Sequence, residues 1–234
     1  MRLDKLLSGL GYCSRSETSK LIKQGRVAVP GVIGKLKADT KVNPDGVLVD
    51  GEPLDPLPGI VVAFNKPAGY VCTTSAAEGQ TVYDLLPERF SRRNPRLATV
   101  GRLDKDTSGL LLLSDDGAFV HKMTSPKHAI EKLYRATLEK PLEGHEEKLF
   151  VSGEMMLEGE AKPLRPARMR AIEERLVELV ITEGRYHQVR RMFAAVGNHV
   201  LQLQRIAIGP LTLEDLPQGS HRILSKAEIA TLLS

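Results

Sequence analysis

The chain has 234 residues and a formal net charge of +4, with 41% hydrophobic and 26% charged residues. These proportions are typical of a globular protein, and the length suits one large domain or a small domain joined to a medium one. Asp4 and Lys5 interrupt the leucines of the N-terminus, and no run reaches the roughly 18 apolar residues of a membrane span. We therefore expect no signal peptide, no membrane partner and a cytoplasmic location.

The first thirty residues predict two short helices and a strand. The leucines recur at the spacing of one helical face and precede Gly11: they are Leu3, Leu6, Leu7 and Leu10. Ser14 and Glu17 have the spacing of a capping box, so a second helix should begin at Ser14 and end at Gly25. Residues 26–29 then alternate as a strand.

The positive charge is concentrated in the first 37 residues, which contain eight basic and two acidic side chains. The basic residues are Arg2, Lys5, Arg15, Lys20, Lys23, Arg26, Lys35 and Lys37. A clustered cationic surface beside helix N-termini suits phosphate groups, although a solvated helix face is the plainer alternative. We predict RNA contacts from five of these side chains: Arg2, Arg15, Lys20, Lys23 and Arg26.

The segments RLDKLL, SRSE and LIKQGRVAV resemble the S4-type RNA-binding module, over about the first fifty residues. Family members commonly have Asn-Gly or Asp-Gly after the strand, whereas this chain has Pro30-Gly31. Residues 50–59 hold three prolines and two glycines and predict a linker. We therefore predict an RNA-binding domain at residues 1–56 and a catalytic domain at residues 57–234.

The stretch GRLDKDTSGLLLLSDDG, residues 101–117, carries the chemistry expected of the second domain. Its four consecutive leucines predict a buried central strand, preceded by a loop that holds Arg102 and Asp104. Read alone, the loop fits better an acidic turn exposed to solvent. Lys66, on a turn after the strand at residues 60–64, is a candidate phosphate contact or an ordinary exposed lysine.

The second half of the chain predicts further strands and a second basic patch. Residues 131–138 alternate as a strand that carries Tyr134, and residues 176–182 alternate in the same way before the helix of EGRYHQVRRMF. The patch comprises Arg185, Arg190, Arg191 and Arg205. We find no metal-ligand spacing, no nucleotide-binding glycine motif and no CxxC pair, so we predict no cofactor and no metal. The predicted fold is α+β, a small helix–turn–helix domain with strands followed by a mixed, mainly antiparallel sheet flanked by helices.

Four segments together resemble the RsuA-type pseudouridine synthases: NKPAGYVC, GRLDKDTSGLLLLSDDG, TSPKHAIEKLYRATLE and EGRYHQVRRMFAAVGNHV. The resemblance implies an isomerisation of uridine in RNA. The C1′–N1 bond breaks, the base rotates and C1′ rejoins at C5, which requires no cofactor. Asp104 matches the family's aspartate, which acts at C1′ as a nucleophile or at C2′ as a base. Tyr134 matches the tyrosine that packs on the target uracil.

The resemblance also implies roles for the arginines. Arg190 matches the basic position paired with the aspartate, and Arg191 is the alternative because helix geometry lets only one of them face the cleft. Arg102 matches the residue that fills the space left when the target base is flipped out; its alternative role is a salt bridge to Asp106. Asp106 is also the rival carboxylate, since a glycosidase would use two such groups.

The resemblance points to 16S rRNA of the small ribosomal subunit as the substrate, free or within an assembly intermediate. We expect a monomeric isomerase. Two alternatives remain open: the same chemistry on 23S rRNA, and a non-catalytic S4-type RNA-binding factor in ribosome assembly.

Overall fold

The computed structural model describes residues 1–32 and 34–234. The N-terminal module contains two helices and a three-stranded antiparallel sheet in the order β1-β2-β3. Their bounds are α1 Leu3–Gly9, α2 Thr18–Lys23, β1 Val27–Ala28, β2 Leu48–Val49 and β3 Glu52–Pro53. All four leucines of the predicted stripe are buried. Ser14 and Glu17 exchange the predicted capping bonds, but residues 15–17 form a turn and α2 begins only at Thr18.

The predicted linker is wrong in its first half, because β3 lies within it. Asp50 and Gly51 both have positive φ, 55° and 85°, and connect β2 to β3 as a two-residue hairpin loop. Asp-Gly is favoured in such loops because both central residues must adopt φ above zero. Pro53 is tolerated because β3 is an edge strand. The connection between the domains is therefore shorter than the composition suggested.

The second domain is built on a nine-stranded sheet. Its elements in chain order are β4 Val61–Lys66, α3 Glu88–Arg92, β5 Ala98–Thr99, β6 Thr107–Ser114, α4 Gly117–Thr124, β7 Lys132–Leu138, α5 Glu146–Ser152, β8 Arg168–Glu173, β9 Leu176–Ile181, α6 Gln188–Ala195, β10 Val200–Ile208, β11 Leu211–Thr212, β12 His221–Ile223 and α7 Lys226–Leu233. The strand order is β12-β4-β6-β10-β7-β9-β8, with β5 beside β6 and β11 beside β10. β6 and β10 pair in parallel and the remaining pairs of this sheet are antiparallel. The prediction of an α+β fold with a mixed, mainly antiparallel sheet is confirmed.

The four leucines of β6 are buried on both faces of the sheet. Leu110 and Leu112 pack in the hydrophobic cluster that includes α4 and α7 residues, whereas Leu111 and Leu113 pack in the larger cluster on the opposite face. A strand covered on both sides shows a continuous apolar run instead of an alternating one, as this sequence does. β6 is therefore the central element, and the loop that precedes it is fixed to the deepest part of the domain.

Gly109 allows β10 to lie against β6. Its φ is +104°, and a Cβ atom at this position would lie 2.2 Å from the carbonyl oxygen of Arg205. Only glycine fits such an approach without displacing backbone. The glycine thereby sets the parallel pairing that brings Arg205 of β10 opposite it.

The two domains contact each other through α3. A Cβ atom on Gly11 would lie 2.0 Å from the Arg89 carbonyl oxygen, so the backbones meet directly. Arg89 also pairs with Asp55 at 2.5 Å, and the Asp55 backbone N–H donates to the Tyr12 hydroxyl at 3.0 Å. Direct backbone contact and an ion pair fix the module against the second domain.

Candidate active site

A cleft of about 690 Å³ opens where the β5–β6 loop, the start of β7, the middle of β10 and the start of α6 meet. Arg102, Asp104 and Tyr134 all line it, although β7 and the β5–β6 loop are distant in sequence. Arg102 and Asp104 lie in the same cleft, as their spacing of two residues in an extended segment predicts. Leu103 between them is buried, and its N–H lies 3.5 Å from the Cys72 sulfur, which fixes the loop to the core.

Asp104 is the carboxylate that the cleft leaves available. Its side chain is 34% exposed, and its Oδ1 lies 3.5 Å from Nε2 of His187. His187 is the residue before α6 and has φ 47° and ψ 32°. A non-glycine residue in this left-handed region is strained, and such residues concentrate at functional sites. Glu183, the other acid in the cleft, is occupied by hydrogen bonds from Arg185 and from Gln188.

Lys66 does not fit its predicted role as a phosphate contact, because its side chain is 0% exposed. Its Nζ donates to the carbonyl oxygens of Pro67 at 3.0 Å, Asp104 at 3.1 Å, Lys105 at 3.1 Å and Thr107 at 2.8 Å. Burial lowers the pKa of Lys66 from 10.5 to about 8. The lysine therefore holds the backbone of the loop that carries Asp104 and is out of reach of RNA.

Tyr134 and Arg205 face each other across β7 and β10 at the floor of the cleft. Arg205 is 2% exposed, and its Nη1 lies 3.4 Å from the Tyr134 hydroxyl. Its Nε donates to the Leu110 carbonyl oxygen at 2.7 Å, while Nη2 is buried without a hydrogen-bond partner among the described residues. The predicted basic patch is therefore wrong for Arg205, which belongs to the interior of the cleft.

Lys132 also lines the cleft, and the sequence reading did not single it out. Burial, and then the nearby charge of Arg205, lower its pKa to about 8. The sequence does contain a pattern that predicts its position. Lys132 lies two residues before Tyr134 on β7, and side chains two apart on a strand share a face. With Arg205, it makes the floor of the cleft cationic.

Arg190 and Arg191 do not contact the Asp104 carboxylate within the described part of the chain. Arg190 donates from Nη1 to the Val200 carbonyl oxygen at 2.8 Å and from Nη2 to the Asp106 carbonyl oxygen at 3.2 Å. Arg191 pairs instead with Glu160 at 2.8 Å. Neither arginine forms the expected direct ion pair with Asp104 among the described residues, and Arg191 forms an internal ion pair; its contact with RNA stays a prediction.

Asp106 lies in a separate groove, which it lines together with Ser108 and Arg135. The two carboxylates of the loop therefore face different spaces, so a paired-carboxylate site is not formed by Asp104 and Asp106. The salt bridge considered between Arg102 and Asp106 is absent among the described residues. Arg102 remains exposed at the cleft.

The five basic residues predicted to bind RNA are exposed on the N-terminal module, three of them in ion pairs. Arg2 and Arg15 both pair with Asp4, at 3.0 Å and 3.2 Å, and Arg26 pairs with Asp50 at 2.6 Å. Lys20 and Lys23 make no ion pair with the described residues, and Lys23 lines a groove of about 660 Å³ with Arg2, Lys35 and Lys37. Four of the eight basic side chains of the first 37 residues therefore line this groove, together with Asp39.

No cluster of His, Cys, Asp and Glu within residues 1–32 and 34–234 could hold a metal ion. Cys13 and Cys72 are free and buried, and burial raises the pKa of both thiols. In the same part of the chain, no helix combines the length and the apolar character that a membrane crossing requires.

Comparison with known proteins identifies the family. Residues 60–195 match the RNA pseudouridylate synthase family, and residues 1–34 match the S4 domain. "Ribosomal small subunit pseudouridine synthase A" of Pasteurella multocida is 42% identical over 233 residues, 99% of each chain. The protein of the same name in Escherichia coli strain K12 is 42% identical over 235 residues, all of both chains.

A solved structure agrees. The crystal structure described as that of a pseudouridylate synthase has a TM-score of 0.70 and 38% identity, and the alignment covers 99% of both chains. The RsuA-type resemblance and the S4 module predicted from the sequence are confirmed. This chain belongs to the family of RNA pseudouridylate synthases and carries an S4 domain at its N-terminus.

Proposed function

We propose that the chain isomerises one uridine of 16S rRNA to pseudouridine. The observation that carries the proposal is the Asp104 carboxylate, which lies in the cleft without a bond from an arginine, a lysine or a backbone N–H among the described residues. A reactive carboxylate needs this freedom, because strong hydrogen bonds to its oxygens would weaken it as a nucleophile or base. The small-subunit target is supported by the printed names of relatives that match over the full length.

The arrangement of the cleft supports a division of roles. Asp104 reacts at C1′ or C2′ of the target nucleotide, and Tyr134 at the floor packs on its uracil. Arg102, exposed in the same cleft, fills the space that the flipped base leaves in the RNA helix. Lys132 and Arg205 make the floor cationic, which favours negative charge that develops on the uracil as the glycosidic bond breaks.

Arg190 acts in this proposal through the backbone and not through the carboxylate. It binds the Asp106 carbonyl oxygen, while Lys66 binds the carbonyl oxygens of Asp104 and Lys105. Two cations that hold consecutive carbonyl groups restrict the position of Asp104. Arg190 is thus a positioning residue.

The N-terminal module supplies affinity for the RNA backbone through the groove lined by Lys23, and we place the domain boundary between residues 56 and 57. The boundary is supported by Leu54, which packs with the module, and by Ile60, which packs with the second domain. The proposed enzyme is a cytoplasmic monomer that acts on free 16S rRNA or on a small-subunit assembly intermediate.

The test is a pseudouridine map of unmodified rRNA from both subunits after incubation with the protein. Carbodiimide modification followed by primer extension should show one new stop, in the small-subunit RNA. A stop in 23S rRNA alone would overturn the target assignment. The absence of a stop in both RNAs would favour the non-catalytic assembly factor.

Asp104→Asn should abolish the new stop while RNA binding stays close to that of the wild type, because phosphate contacts dominate affinity. Asp106→Asn is the matched control, since Asp106 faces the other groove. It should retain activity. Equal loss of activity in both variants would contradict the role of Asp104, as would loss of RNA binding in Asp104→Asn.

A further inference from the structure

The loop between β9 and α6 is held rigidly on both sides of Tyr186. Arg185 donates to Glu160 at 3.2 Å and to the carbonyl oxygens of Lys162 and Pro163 at 2.7 and 2.6 Å. Arg191 donates to the other oxygen of Glu160 at 2.8 Å. Arg191 also donates to the Tyr186 carbonyl oxygen at 3.2 Å, so two arginines that share one glutamate fix the backbone here.

The Tyr186 side chain nevertheless projects into water. It is 76% exposed, the largest exposed fraction among the exposed large hydrophobic side chains of the described chain. One face of its ring stacks on His187, with 3.9 Å between the ring centroids and 14° between the planes. An exposure this high leaves the opposite face open. Several hydrogen bonds therefore hold the backbone in a position that exposes one aromatic face to water. The hydrophobic effect alone would favour burying that face.

Tyr186 lies at the active-site cleft. Tyr186 and His187 both line it, and Nε2 of His187 lies 3.5 Å from Oδ1 of Asp104. A planar group on the open face of Tyr186 would lie beside the cleft that holds the reactive carboxylate. A nucleotide next to the target uridine would occupy this position.

We infer that Tyr186, backed by His187, is a stacking platform for an unpaired base adjacent to the target uridine. This inference rests on the proposed function, because it assumes that the uridine reacts at Asp104. An aromatic ring suits an unpaired base because every base has a π-face, and such stacking tolerates any base. The exposed cation Lys105 in the same cleft would receive a phosphate that accompanies such a base.

The experiment compares Tyr186→Ala with Tyr186→Phe on an RNA fragment that contains the mapped uridine. Removing one stacked base–aromatic contact should raise KM and the Kd for the fragment about 5- to 150-fold. The value of kcat should stay close to that of the wild type, because the stack is present in the ground state and the transition state alike. Tyr186→Phe keeps the ring and should restore the wild-type KM. Leu201→Ala is the matched control: Leu201 is 58% exposed but lines the other groove.

Fragments with a single abasic position identify the base that stacks. In the wild type, one position beside the uridine should show a loss of affinity similar to that of Tyr186→Ala. In Tyr186→Ala the same abasic position should cause no further loss, because the two changes remove one interaction.

An unchanged KM and Kd in Tyr186→Ala would overturn the platform. So would a Tyr186→Phe variant that binds the fragment as weakly as Tyr186→Ala does. The third contradicting result is a loss of affinity at each abasic position that is the same in the wild type and in Tyr186→Ala. A wild-type protein that forms no pseudouridine would instead overturn the proposed function. An active wild type whose Tyr186→Ala variant keeps the wild-type KM and Kd would overturn the platform alone and leave the proposed function standing.

Discussion

Lys66→Met removes the ammonium that holds the catalytic loop while it keeps most of the apolar stem. Nζ has four carbonyl oxygens within 3.1 Å, three of them from Asp104, Lys105 and Thr107. Methionine cannot donate to any of these, so the carbonyl groups lose their partner within a closed site. The loop should move and the fold should lose stability.

The size of the effect follows from two opposing quantities. Burial lowers the pKa of Lys66 from 10.5 to about 8, which corresponds to a cost of about 3 kcal/mol for keeping the charge at pH 7. The ammonium has three N–H groups to share among its four carbonyl acceptors, and each hydrogen bond from a charged donor returns about 1.5–3 kcal/mol. We expect Lys66→Met to reduce the free energy of unfolding by about 3 kcal/mol, or about 6–12 °C in Tm. A loop displacement of about 1 Å should also lower kcat about 100-fold.

The pH dependence provides a second measurement. Between pH 8 and 10.5 the unfolded chain binds the Lys66 proton and the folded chain does not. Lys66 therefore makes the free energy of unfolding of the wild type increase with pH in this range. Lys66→Met lacks this contribution, and the gap in stability between wild type and variant should therefore widen from pH 8 to pH 10. Urea unfolding followed by circular dichroism at pH 7 to 10 measures the gap.

Lys127→Met is the matched control, since Lys127 is exposed and its side chain forms no hydrogen bond or ion pair with the described residues. A gap that stays constant with pH would refute the lowered pKa of Lys66. An unchanged Tm or an unchanged kcat in Lys66→Met would refute its role in holding the loop.

Two further substitutions test the packing that positions the site. Gly109→Ala places a Cβ atom 2.2 Å from a β10 carbonyl oxygen, and we expect the free energy of unfolding to fall by at least about 3 kcal/mol in thermal unfolding. Gly117→Ala is the control and should be nearly neutral, because a Cβ atom there would have no atom within 4 Å. Asp115→Asn breaks a pair with Arg93 in which both side chains are 0% exposed and should cost about 3–5 kcal/mol in urea unfolding, whereas the exposed Asp39→Asn should not. A neutral Gly109→Ala or Asp115→Asn would contradict the packing described.

The sequence predicted the elements of the fold wherever local patterns decide them. The helical spacing of the leucines in α1 and the unbroken leucine run of β6 both predict buried side chains. The structure buries both sets. The hairpin at Asp50-Gly51 was also readable from its turn residues. It was missed because the surrounding prolines suggested a linker.

The site could be predicted only in part, because the role of a charged side chain depends on partners far away in sequence. Asp104 and Tyr134 were found through motifs that resemble a family, and both line the cleft. The role of Lys66 depends on carbonyl groups about 40 residues away, and that of Arg191 on Glu160, 31 residues away. No local pattern in either segment distinguishes an anchoring cation from one that binds RNA.

The parallel pairing of β6 and β10 has a consequence for the order in which the enzyme becomes active. The hydrogen bond from Arg205 to the Leu110 carbonyl oxygen joins residues 95 apart in sequence. The contact between His187 and Asp104 also joins distant parts of the chain. Contacts of such long range form late, because the entropy of closing the loop must be overcome first. During synthesis the N-terminal module can fold while β10 is still being made. A nascent chain could thus hold RNA before it can modify it.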